Sequence, residues 1–258
     1  MDQEQPVTAE TLPESPSASS LLSRATDVFA APGDLYAEVA DVPVQKSSWL
    51  VPYVLSIILA IVITFSFYNN ASLRQQIFDM QEQAMKKGVA EGKMTQEQYD
   101  QMSERMESTG PVMFTVIGGG TAVVFVTAIF FGATLVIWLV ARFWLKFTGA
   151  YAKMLEVYGL ASIIGLLGSL ASVLLMNVFD SMHATPGGGL LLMSSFDQTN
   201  ISHRFLASIN IFTLWQVGVL GIGVAKVSRA AAGKGLGMLF SLWLVWTILS
   251  SLMGWGVR

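Results

Sequence analysis

Five stretches of this chain, residues 49–67, 112–140, 157–179, 205–225 and 236–256, contain no Asp, Glu, Lys, Arg or His. Each has the roughly 20 predominantly apolar residues that an α-helix needs to cross a hydrocarbon core about 30 Å thick. In lipid a backbone must satisfy its own N–H and C=O groups, which leaves helices or a closed barrel. The runs are continuous and lack the in-out polarity of barrel strands. The expected fold is therefore all-α, an integral membrane protein with five transmembrane helices. Composition agrees: charged residues make up 13% and hydrophobic residues 53%, with mean hydropathy +0.55. A soluble domain carries about 25% charge, and a disordered chain is not this apolar. The chain has no cysteine, which removes disulfides, thiolate nucleophiles, Cys-containing metal sites and lipidation on Cys.

Outside the spans, residues 1–20 are rich in Ser, with Pro6, Pro13 and Pro16, and read as a disordered acidic tail. No basic stretch followed by an apolar core precedes the first span, so no secretory signal peptide is expected. Residues 21–48 form a cytoplasmic amphipathic segment. Leu21, Leu22, Ala25, Val28 and Phe29 recur at helical spacing before Pro32 and Gly33, and Leu35, Tyr36 and Val39 follow. Lipid-binding interfacial helices usually carry Lys and Arg on the polar face. This one is acidic, so packing against its own bundle is the favoured reading over lying on the membrane.

In the first span Ser48 is a plausible cap, with Trp49 at the interface and Pro52 in the first turn. The second would reach about 43 Å as a helix and must tilt or project; Gly118, Gly119 and Gly120 mark a bend or a close helix contact. The loop 68–111 reads as an extramembrane helical hairpin. One helix runs from Arg74 to Val89 with Ile77, Met80 and Ala84 on one side. The other starts at Thr95, where Gln98 completes a capping box, and sets Tyr99, Met102 and Met106 on one face. These faces either bury against each other or offer a Met-rich partner surface.

Basic residues set the expected orientation. Arg142, Lys146 and Lys153 fall in loop 141–156, and Lys226, Arg229 and Lys234 in loop 226–235. With these inside, the chain is a multi-pass protein of the cell inner membrane, its N-terminus cytoplasmic and its C-terminus outside.

Groups for chemistry are sparse. His183 and His203 share one external loop with Asp180 and Asp197, but a Gly-rich stretch with Gly187, Gly188 and Gly189 separates the histidines, so they read as solvated loop groups. Gly233-Lys234 reads as a turn. No GxSxG or HExxH is present and no ionisable residue lies within a span, so hydrolase and proton-carrier readings lack their groups. No catalytic residue, metal, cofactor or nucleic-acid partner is expected. Asn210, Thr213 and Gln216 form a polar stripe over an arc of about 120°. It would line a pore, or more readily serve as interhelical hydrogen-bond glue. Gly159, Gly165, Gly168 and Ser172 in the third span and Gly218, Gly221 and Gly223 in the fourth make these two helices expected neighbours.

The order of a cytosolic segment and five spans, with Ala31-Pro32-Gly33-Asp34-Leu35-Tyr36 before the first span and Val157-Tyr158-Gly159-Leu160 opening the third, resembles the Yip1 domain family. The residues carrying the likeness are Pro32, Asp34, Leu35, Tyr36, Tyr158 and Gly159. Family members often have Gly-Pro after Asp-Leu-Tyr; here Ala37-Glu38 follows. Gly92-Lys93-Met94-Thr95 in the helical loop is similar to bacterial members. The resemblance implies a non-enzymatic polytopic membrane protein acting through membrane or protein contacts, concerned in eukaryotes with vesicle traffic and membrane shape. Its partners are then the lipid bilayer and other membrane proteins or a second copy. A channel or small-solute transporter subunit is the alternative.

Overall fold

The computed structural model describes residues 19–108 and 111–254, and side chains throughout these except 106–115. The expected disordered tail falls almost entirely outside the described residues, as do the Met106 side chain and the last two residues of the fifth span. The named elements of the described chain are all helices: α1 (Leu21–Ala30), α2 (Pro32–Asp41), α3 (Ser47–Asn69), α4 (Ala71–Ala90), α5 (Gln96–Ser108), α6 (Pro111–Trp144), α7 (Tyr151–Val178), α8 (Gly188–Leu192), α9 (Ile201–Ser208), α10 (Ile211–Val227) and α11 (Ala232–Met253).

Four helices are long and apolar enough to cross a membrane: α3, α6 from Val116 onward, α7 and α11. The chain is a multi-pass membrane protein, and its outward side chains make the lipid-facing belt. Ile58, Val62 and Phe65 of α3, Val124 and Phe125 of α6, and Val245 and Trp246 of α11 are all exposed.

The expected fourth span, 205–225, is not one helix. α9 ends at Ser208, and the chain passes through extended backbone at Ile209 and Asn210 before α10 begins. The cause is tertiary. Residues 186–188 lie against the break, with Gly188 N–H donating to Ile209 O at 2.9 Å and Ile211 N–H donating to Pro186 O at 3.0 Å. Gly187 pairs with Asn210 in an antiparallel bridge. A Cβ on Gly188 would lie 2.9 Å from Leu206 Cγ, so the approach needs glycine. α10 keeps 17 residues, about 26 Å of helix.

Other boundaries also move. Ser48 does not cap α3; the cap position is Lys46, without a side-chain bond. Ser48 is instead buried in the first turn, and Pro52 sits inside the helix rather than in that turn. α7 starts at Tyr151, six residues before the expected 157, which draws Lys153 and Glu156 into the helix. Gly233 and Lys234 lie in the first turn of α11, not in a loop turn.

The neighbours expected from small residues are found. α10 packs on α7 where Cβ atoms on Gly165 and Gly168 would lie 2.6 Å from Gln216 Oε1 and 2.5 Å from Phe212 Cβ. Gly221 instead meets Leu236 of α11. Gly118 is a close contact, a Cβ there lying 3.1 Å from Thr64 Cγ2, while a Cβ on Gly119 or Gly120 would have nothing within 4 Å.

α4 and α5 are two helices with the expected capping box. Gln98 N–H donates to Thr95 Oγ1 at 3.2 Å, and Thr95 N–H donates to Gln98 Oε1 at 2.9 Å. Their expected apolar faces meet only in part: Tyr99 is half-buried, its Oη donating to Glu82 Oε1 at 3.4 Å. Ile77, Met80 and Ala84 line a cavity shared with α3, α6 and α11, and Met102 is exposed. The α4 base is fixed to the turn after α7, since Asn70 Nδ2 donates to Asp180 Oδ1 at 2.8 Å and Gln76 Nε2 donates to Asp180 O at 2.9 Å.

α1 and α2 dock against the ends of α7 and α10, as the acidic polar face suggested. The buried stripe of α1 differs from the expected one: Leu22 is 80% exposed, while Arg24 and Val28 are buried. Val28, Leu35, Tyr36 and Val39 join Val157, Leu160, Val224 and Met238 in one core.

Candidate functional site

Arg24 is 1% exposed and Glu156 is fully buried, an expensive arrangement unless every charge is met. It is met. Arg24 Nη1 donates to Glu156 Oε1 at 2.9 Å and to Ser48 Oγ at 3.0 Å; its Nη2 donates to Glu38 Oε1 at 2.8 Å and its Nε to Ser19 Oγ at 3.3 Å. The other Glu156 oxygen accepts from Lys153 Nζ at 2.6 Å, and the Gln45 amide donates to Oε1 at 3.1 Å. Lys153 Nζ also donates to the carbonyls of Val39 at 2.9 Å and Val42 at 3.0 Å. Two cations and two carboxylates thus balance, and they join α1, α2, the 42–46 connection, α3 and α7.

Outside the spans, Glu38 has a shifted carboxyl. Partial burial pushes it up, but the Ser19 amide, the Arg24 guanidinium and the Ser19 hydroxyl together hold it below the usual carboxylate range. An exposed pair between Arg229, after α10, and Asp41, at the end of α2, adds a second tie.

The residues singled out by the two motifs converge beside this cluster. Pro32 takes the first position of α2, where its missing N–H costs nothing, and exposed Asp34 lies in the first turn, where a negative charge suits the helix dipole. Leu35 and Tyr36 are buried, and Tyr36 Oη donates to Val157 O at 3.2 Å. Burial raises the Tyr36 phenol well above the usual range. Tyr158 stands edge-on to Phe130, centroids 5.1 Å apart. At Gly159 α3 comes close to α7: a Cβ would lie 2.7 Å from Trp49 Cβ and 2.8 Å from Ser48 O. Tyr36 and Gly159 therefore lie at the joint between the N-terminal segment and the membrane domain, while Tyr158 faces α6.

The polar stripe reaches a different place. Asn210, Thr213 and Gln216 all line a cavity of about 450 Å³ between α3, α6, α7 and α10, with Ser162, Ser169 and Ser172 opposite. Asn210 is not part of a helical arc, because it caps α10, its side-chain oxygen accepting from Phe212 N–H at 2.9 Å. Ser172 and Ser162 donate back to their own helix at Gly168 O and Gly159 O.

The histidines are half-buried rather than solvated. His183 stacks on Phe196 with centroids 3.9 Å apart, and Asp197 N–H donates to His203 Nδ1 at 3.1 Å. Burial lowers the His183 pKa. Among the described residues no three of His, Cys, Asp and Glu gather as metal ligands.

Sequence reasoning missed the ion cluster. The available signals were Arg24 on the apolar stripe of α1 and a Lys-x-x-Glu pair, Lys153 and Glu156, directly before an uncharged run.

The Yip1 domain family model matches residues 26–254, from within α1 to the end of α11. No curated protein and no solved structure matches the chain.

Proposed function

The chain belongs to the Yip1 domain family, and from that premise we propose that it is a non-enzymatic polytopic membrane protein that works through contacts with lipid and with other membrane proteins or a second copy, in membrane organisation. The observation that supports this most is the Arg24–Glu38–Lys153–Glu156 cluster. Buried Arg24 and Glu156 and partly buried Glu38 and Lys153 are committed to each other, and they hold α1 and α2 as a fixed platform on the membrane domain. In this reading α9 and α10 together make a fifth crossing. The protein resides in the inner membrane, with the platform cytoplasmic beside Lys146, Lys226 and Arg229, and the C-terminus is outside. Reporter fusions at both ends, with crosslinking of the full chain in its native membrane, test this. Opposite sidedness and stoichiometric crosslinks through the platform are expected. Both ends on one side, or turnover of a substrate by the purified chain, would overturn it.

One observation favours a second reading, a channel or small-solute transporter subunit. Thr213 and Gln216 face a cavity inside the helix bundle. Under that reading Gln216→Leu abolishes solute flux in proteoliposomes. Under the first, wild type and variant are equally tight.

A further inference from the structure

A cavity of about 1070 Å³ lies at the end of the molecule opposite the ion cluster, among the C-terminal ends of α3 and α11, the N-terminal half of α6 and α4. Part of its wall is membrane-like: Phe67, Ile77, Met80, Ile117, Phe125 and Leu252. Three cations, Arg74, Lys87 and Arg204, also line it, and among its described lining residues there is no Asp or Glu. Arg74 is occupied locally, donating to Tyr68 O at 2.9 Å with its guanidinium 5.3 Å from the Tyr68 ring centre. Among the described residues Lys87 has one long ion-pair contact, to Glu91 at 3.7 Å, and it is 75% exposed. Arg204 lies against the C-terminal end of α11, where a Cβ on Gly254 would sit 3.0 Å from its Nη1. Its Nε is buried and finds no acceptor among the described residues, a state that costs free energy unless something supplies one.

An apolar trough at the ends of lipid-facing helices, carrying cations and no acid, is complementary to a molecule with an anionic head and an apolar tail. We propose that this cavity is a binding site for one anionic glycerophospholipid, its phosphate held by Arg204 and Lys87 and an acyl chain lying along Ile117, Phe125 and Leu252. Phosphate recognition by a guanidinium is charge-assisted and strong. The apolar wall adds burial that a free phosphate cannot use. The site differs from an electrostatic skin of surface lysines because one guanidinium edge is already out of water.

The test is native mass spectrometry of the full chain in mild detergent, titrated in separate arms with phosphatidylglycerol, phosphatidylcholine and inorganic phosphate. Phosphatidylglycerol is expected to remain bound at one per chain, about tenfold more tightly than phosphatidylcholine. The double variant Arg204→Gln, Lys87→Gln is expected to lose about that factor, while Arg142→Gln with Lys234→Gln, at the other end, is not. Ala122→Trp, which fills the trough without touching a charge, is also expected to lose the lipid. Equal retention of the two lipids, or unchanged phosphatidylglycerol binding by the double variant, would overturn the proposal. So would inorganic phosphate raising the melting temperature as far as phosphatidylglycerol does, since that marks a headgroup site alone. Should the double variant fail to fold, Lys87→Gln, at an exposed position, carries the same comparison.

Discussion

Arg24→Met is expected to lower the unfolding free energy of the detergent-solubilised chain by roughly 3–5 kcal/mol, the usual effect of removing one partner of a buried ion pair. The size follows from what remains. Glu156 is fully buried and would keep only Lys153 Nζ and the Gln45 amide as donors. Local loss should appear first, as protease cleavage within Leu21–Ala30 while α3 and α7 stay protected. Adding Glu156→Gln should recover part of the loss, because the buried carboxylate that lost one of its two cationic partners is then neutral. A single variant with wild-type thermal stability and an uncleaved α1 would refute the clamp. Acid should loosen the same joint. Glu38 titrates below its ordinary 4.5, so its contribution is complete above that pH and disappears as pH drops through the lower folded value. Cleavage of α1 should rise in that acidic window and be steady from there to neutrality.

Gly159→Leu should be the second severe change, costing about 3 kcal/mol, the upper end for forcing volume into packed structure. The obstacles are Trp49 Cβ at 2.7 Å and the Ser48 carbonyl at 2.8 Å from the added Cβ. Both belong to the backbone or its first side-chain atom, so no rotamer change relieves them and α3 itself must shift. At exposed Gly120 on α6 an added Cβ has nothing within 4 Å, so Gly120→Leu should alter stability by no more than about 0.5 kcal/mol. Paired melting curves decide the matter, and equal effects of the two substitutions would remove the close crossing as a cause. A red shift of tryptophan emission in Gly159→Leu alone would report the displacement of Trp49.

What was legible in the chain was local. Uncharged runs mark membrane helices because one ionised group at depth is so costly, and four of them match α3, α6, α7 and α11 closely. The Thr95–Gln98 box was legible because both partners lie within a single turn. The break before α10 was hidden by hydropathy, which stays apolar through Phe205–Phe212 while the backbone is redirected by Pro186–Gly188 from another loop. Asn210 did carry the usual capping signature ahead of an apolar run, but the length of that run favoured reading it as helix interior. The charged joint was illegible for a related reason: Arg24 and Glu156 are 132 positions apart. Arg24 on an apolar stripe and Lys153 and Glu156 just before an uncharged run mark candidates for burial, but they do not name the partner so far away in the chain.

The unequal helix lengths bear on the surrounding lipid. α10 offers about 26 Å of helix with Ile211 and Trp215 exposed, while α6 runs for 34 residues, about 51 Å. A bilayer in contact with both meets a short wall on one flank and a tall one on the other. It must thin beside the first while the second leans or protrudes, at a cost of fractions of a kcal/mol per ångström of mismatch. In the five-crossing arrangement proposed above, the protein is a wedge in hydrophobic thickness and should gather where the leaflet is already uneven.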